Sequence, residues 1–179
     1  MRTVTLPPEQ RHLPRPGRYA VAPGRSLVEL AARYGPLPTY RRRLDLTAAS
    51  LTVPDDGVDE GLDTTPDTPL GARPAFRFEL SEPPAVVTAT HVEPLDGGRH
   101  LQGSGDLELR GVAFPVLLRL RVVERTDDLL LVVGTARMSY RLLRRATGFR
   151  LPWRRPATRV RLLIAAEFTP EFTPAGELG

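Results

Sequence analysis

The sequence contains no cysteine, which excludes disulfide scaffolds, thiolate metal sites, redox pairs and cysteine nucleophiles. Its imidazoles are His12, His91 and His100. None stands three to five residues from another, so a zinc site of the usual spacing is not expected, and no metal or cofactor is assigned. Lysine and asparagine are also missing, and all 25 basic side chains are arginine. Long apolar runs are absent too. The stretch Leu129 to Val133 stops at Gly134, far short of the roughly 18 residues of a membrane span. The opening residues carry Arg2, Arg11, Arg15 and Arg18 among prolines, without the apolar core of a signal peptide. A cytoplasmic protein is the expectation.

What is present is globular composition: 179 residues, 41% hydrophobic and 26% charged, a length that suits one domain at roughly 150 residues each. Residues 1–17, broken by Pro7, Pro8, Pro14 and Pro16, read as an extended lead-in with little packing. Residues 18–169 read as the domain and 170–179 as a flexible tail. Between Val53 and Pro74 the chain is acidic and proline-broken, which suggests a long loop dividing the two halves of the fold.

Elsewhere the dominant period is two. Phe114, Val116, Leu118, Leu120 and Val122 alternate with Arg119 and Arg121, and Phe76, Phe78 and Leu80 alternate with Arg77 and Glu79. Ala136, Met138, Tyr140 and Leu142 alternate with Arg137 and Arg141, as do Val160, Leu162, Ile164, Ala166 and Phe168 with Arg159 and Arg161. Each run predicts a strand with one apolar and one wet face. Ser26 to Tyr34 fits both periods and is assigned to a strand because its neighbours are strands. Leu44, Leu46 and Ala48 change parity to Leu51 and Val53, which predicts a bulge near Ala48 and Ala49; Gly111 predicts a turn or bulge before Phe114, and Leu142 and Leu143 ahead of Arg144 and Arg145 suggest a helical turn after Tyr140. The sum is an all-β, antiparallel domain of about eight strands, whose closure into a barrel removes exposed edges.

The run Gly105, Asp106, Leu107, Glu108, Leu109, Arg110, Gly111, Val112, Ala113, Phe114, Pro115, Val116 resembles the signature of the YceI-like family. Tyr19, Val21, Pro23 and Ser26 are similar to its opening strand, and the likeness extends from about Tyr19 to Phe168. That family's segment after the third strand is replaced here by the acidic stretch Asp63 to Arg73, and of its late Arg-x-Asp-Phe-Gly element only Arg145, Gly148 and Phe149 remain. The resemblance implies a lipocalin-like barrel that carries a hydrophobic or amphiphilic small molecule, such as an isoprenoid or long-chain lipid, without catalysis.

Two sites follow. The apolar parity predicts Phe76, Phe78, Phe114, Leu118, Leu120, Met138, Tyr140, Ile164 and Phe168 as the ligand-binding interior. Composition leaves open whether these side chains fill the barrel or line a cavity. Gly111, Ala136 and Ala166 are small enough to suggest a cavity. The second site is the run from Arg137 to Arg161, interleaved with Tyr140, Phe149 and Trp153 and free of acids between Leu129 and Ala166. Arg144, Arg145, Arg154 and Arg155 are expected in a loop at the barrel mouth, holding an anionic headgroup or touching a membrane surface, with a solvated rim as the plain alternative. Specific nucleic-acid binding is not expected, because the net charge is only +4 and no recognition motif accompanies the run. The alternative function is a non-enzymatic interaction module: a filled barrel whose arginine-rich end binds an anionic partner. Asp106 and Glu108 read as a solvated pair, and His91 and His100 suggest no catalytic triad.

Overall fold

The computed structural model describes residues 13–54 and 73–171, without the side chains of Pro23 and Arg154. Most of the expected lead-in, acidic loop and tail therefore lies outside the described residues. Nine strands follow in order: β1 (Gly17–Tyr34), β2 (Leu37–Leu44), β3 (Leu46–Val53), β4 (Ala75–Leu80), β5 (Ala85–Leu95), β6 (His100–Leu109), β7 (Val112–Arg125), β8 (Leu130–Ser139) and β9 (Arg159–Pro170), with helix α1 (Tyr140–Thr147) between the last two. Every pairing is antiparallel, and β1 pairs with β9 to close the sheet.

The nine segments make an eight-stranded barrel because β2 and β3 share one position. Val28 pairs with Leu44 in β2, while Gly17 pairs with Val53 in β3, so both run along the single long strand β1 and are separated at Asp45. The predicted parity change lies beside this break: β3 and β4 slip register between Leu46 and Ala48, after which Ala49 and Leu51 turn inward. Ser26–Tyr34 is strand, as expected. The stretch after Val53 joins β3 to its neighbour β4, so it connects adjacent strands and does not divide the barrel into halves. Nor is the lead-in wholly unpacked, since Pro14 is buried and Leu13 packs on the core.

The alternation places Phe76, Phe78, Leu118, Leu120, Met138, Ile164 and Phe168 inside. Phe114 shares their parity but is half-buried at the end of the β6–β7 hairpin, opposite Leu107. Three phenylalanines fill one end of the interior: Phe168 meets Phe76 edge-on at 5.5 Å and Phe78 at 6.1 Å between ring centres. Such pairs contribute about 0.5–1.5 kcal/mol each beyond the burial of their area.

The small residues have distinct places in the sheet. Gly111 lies in the two-residue β6–β7 turn, where Arg110 and Gly111 have φ of 54° and 75°, as a tight hairpin turn requires. Ala136 and Ala166 face inward with no exposed surface. A side chain on Gly134 would put its Cβ 2.0 Å from the Arg119 carbonyl oxygen; glycine here permits backbone to approach backbone, so the sheet coils tightly over its contents. Beneath α1, a void bordered by Met138, Leu143, Phe149 and Leu162 holds about 30 Å³, roughly the volume of one water. Among the described residues, the inward side chains of the strands form one continuous buried apolar cluster.

Candidate functional site

The end of the barrel at which β1 finishes is covered by α1 and the segment that follows it. Ser139 caps the helix, its Oγ accepting from the Leu142 N–H at 3.4 Å, and Gly148 ends it in the left-handed region, its N–H donating to the Arg144 carbonyl. Leu143 and Thr147 face the barrel and are buried. The Thr147 hydroxyl donates to the Leu143 carbonyl at 2.8 Å and accepts from the Phe149 N–H at 3.2 Å, holding the chain as it leaves the helix. Phe149 and Leu151 are buried with Leu143. The expected mouth is thus a closed, apolar plug, because this short helix has one apolar face to bury and the barrel end accepts it.

On the solvent side of the plug lies a cavity of about 780 Å³. Arg141, Arg144 and Arg145 reach it from α1, and Arg150 and Arg155 from the following segment; Tyr34, Tyr140, Leu151, Pro156 and Ala157 complete its wall. Thr158 holds the parts together. Its N–H donates to the Arg33 carbonyl at 2.8 Å, its hydroxyl accepts from the Gly35 N–H at 3.2 Å, and its carbonyl accepts from the Tyr140 N–H at 3.1 Å. The Tyr140 hydroxyl in turn accepts from the Leu151 N–H at 3.0 Å. The β1–β2 turn, the start of α1 and the arginine-bearing segment are therefore tied to one another.

Arg144, Arg145 and Arg155 of the predicted headgroup set converge on this cavity. Arg154 ends the short 3-10 turn Pro152–Arg154 beside them, its side chain outside the described residues. Tyr140 requires a correction. It opens α1 instead of continuing β8 and borders the arginine cavity instead of the barrel interior, because the helix cap at Ser139 ends the alternation there. Arg141 and Arg150, members of the same predicted arginine run though not of the four expected to hold the headgroup, also line the cavity. Tyr34 and Thr158 left no signal, since only the closure of β1 on β9 brings them there.

Among the described residues, none of the five lining arginines has a carboxylate within 4 Å; the ion pairs belong to Arg15, Arg25, Arg41, Arg42 and Arg77. Five like charges around a concave wall raise the local positive potential and draw anions. Asp106 and Glu108 are exposed on the outer face of β6 and do not line this cavity. No helix among the described residues is long and apolar enough to cross a membrane. No family model matches the chain, and no curated protein matches it.

Proposed function

We propose that this protein is a non-enzymatic binding module that holds an anion-bearing small molecule in the arginine-lined cavity, with the packed barrel as its scaffold. One contrast carries the reading: about 780 Å³ of arginine-lined space outside the plug against about 30 Å³ beneath it. Ligand sites typically span roughly 300–1,000 Å³. Guanidinium groups suit phosphate or carboxylate through paired hydrogen bonds. Tyr34, Tyr140, Leu151 and Pro156 offer a ring or short chain an apolar wall. An isoprenoid phosphate fits this reading with its phosphate on the arginines and its chain outside the barrel.

The test compares a prenyl phosphate with the matching alcohol by calorimetric titration. The phosphate is expected to bind at least about tenfold more tightly at low salt, with the difference shrinking as ionic strength rises. Converting Arg144, Arg145 and Arg155 to Gln removes the preference. Equal binding of phosphate and alcohol by the parent protein would overturn the reading.

One observation favours a second reading, a carrier of the YceI-like kind. The small apolar void lies directly under α1, with Leu143 and Phe149 in its wall, so lifting α1 would admit a chain to the barrel. Linking α1 to the barrel through an engineered disulfide would then abolish uptake of the alcohol, whereas binding confined to the outer cavity would survive the link.

A further inference from the structure

Beyond the end cavity, the outer wall of the barrel carries four more arginines that the sheet forces together. Arg33 of β1 lies directly opposite Arg159 of β9, and Arg161 of β9 directly opposite Arg137 of β8. All four point away from the core, Arg137 and Arg159 exposed, Arg33 and Arg161 half-buried. Like charges facing each other across a ladder are destabilising, and here two such pairs stand in adjoining positions. Among the described residues, no carboxylate lies within 4 Å of them: Glu29, two outward positions along β1 and beyond Ala31, is bound to Arg41.

The four side chains surround a depression of about 180 Å³ that Gly35 and Val160 complete. The Nε atoms of Arg33 and Arg161 are buried and have no hydrogen-bond partner. Arg33 spends one Nη2 donor on the Pro36 carbonyl, which fixes its guanidinium but leaves Nε free. A buried charged group with an unmet donor is a costly arrangement, and an anion in the adjoining depression lowers that cost through its charge. The space is too small for a nucleotide and suits a single tetrahedral group.

We infer that the outer wall between Arg33, Arg137, Arg159 and Arg161 is a second oxyanion site, selective for a phosphate or sulfate group. It does not rest on the reading of the end cavity, because the two sets of arginines share no member. A dianion satisfies guanidiniums from three strands at once and cancels both cross-strand repulsions, whereas chloride only screens them. The phosphate is either a free ion or the headgroup of a lipid; the arginines read the same tetrahedral oxygens in both.

The experiment is titration of the full chain with inorganic phosphate at ionic strength held constant with sodium chloride, followed by calorimetry and by Tm. At about ten times Kd, one bound ion is expected to raise Tm by about 3–6 °C. The double variant Arg137→Gln, Arg161→Gln should lose one phosphate per chain and that part of the rise. Without phosphate it should be at least as stable as the parent, since repulsion has been removed. Arg144→Gln, Arg145→Gln, which alters only the end cavity, should keep the outer-wall phosphate. Because Arg161 is half-buried, the exposed pair Arg137→Gln, Arg159→Gln provides an independent check and should behave alike. Vesicles carrying phosphatidate that sediment the parent but not the outer-wall variants would assign the phosphate to a lipid; phosphate binding without sedimentation would assign it to the free ion. A phosphate response unchanged in both outer-wall variants would overturn the site. So would a parent that responds to phosphate no more than to chloride, or outer-wall variants destabilised with and without phosphate, the mark of arginines that serve packing alone.

Discussion

Ala136 has no exposed surface, and at that position the distinction between an open and a filled barrel becomes measurable. Its neighbours across the ladders are Leu118 and Leu162, both buried, so the Ala136→Phe side chain has no space to enter. Overpacking of this kind costs about 1–3 kcal/mol, and a whole ring belongs at the upper end or beyond. A clear fall in the urea midpoint is expected, whereas an unchanged midpoint would mean that the interior yields room. Tyr19 allows a second test. Its hydroxyl donates to the Arg15 carbonyl at 2.7 Å, and burial, reinforced by the charge of Asp128, pushes its pKa above the usual value of 10.0. The unfolded chain then loses this proton at a lower pH than the folded one, so stability from Tyr19 is complete below about pH 10 and is lost as pH rises through the folded pKa. Tyr19→Phe should flatten the alkaline part of a stability–pH curve and leave the neutral part's slope unchanged. An unaltered alkaline slope would show that other groups cause it.

Helix α1 decides what the barrel end can do. Tyr140 accepts a hydrogen bond from the Leu151 N–H, and Leu151 is buried. Tyr140→Phe therefore leaves a buried donor without its acceptor, at a cost of about 1–3 kcal/mol, and loosens the segment that presents Arg150 and Arg155. Anion affinity is expected to fall several-fold while far-UV circular dichroism keeps its strand signature; unchanged affinity would mean that the segment is held by other contacts. This element also marks a limit of sequence reading, which expected a helical turn after Tyr140 but kept Tyr140 itself in the strand. Alternation of apolar and charged residues is a local property, so the inward faces of β4, β7, β8 and β9 were legible. At Ser139 the chain changes period within one residue, and Tyr140 and Leu142 happen to extend the strand parity into the helix. The small inward residues raise a related point. Ala136 and Ala166 look like room in a sequence, but the space beside a small residue is set by how closely the neighbouring strand approaches, which is a property of the closed sheet.

At the scale of the whole molecule, a net charge of +4 conceals a strong asymmetry. The arginine run was visible because its members are close in sequence and no acid interrupts them. The outer-wall grouping was not, although Arg137, Arg159 and Arg161 belong to that run, because Arg33 meets Arg159 only once 125 residues of chain have closed β1 onto β9. The end cavity and the outer wall flank the same β1–β2 turn, through Tyr34 and through Arg33 and Gly35, so their positive potentials add. Self-repulsion should then make the unliganded protein more stable as sodium chloride rises from about 20 to 300 mM, over which the screening length falls from about 20 to 6 Å. A single substitution isolates the effect. Arg141 lies in the first turn of α1, which contains no acidic residue, where a positive side chain opposes the helix dipole and a negative one complements it. Arg141→Glu relieves repulsion, suits the helix start and faces Arg145 one turn later, at a spacing that favours an ion pair. These small terms sum to about 1 kcal/mol at low salt, a rise of roughly 2–4 °C in Tm. The same substitution puts a carboxylate into the arginine cavity and should lower phosphate affinity there. A stability gain that vanishes at high salt, together with weaker phosphate binding, would show that the cluster is kept at the expense of the fold. A variant less stable than the parent at low salt would mean that Arg141 holds the helix in place, and that charge repulsion at this end is too weak to matter.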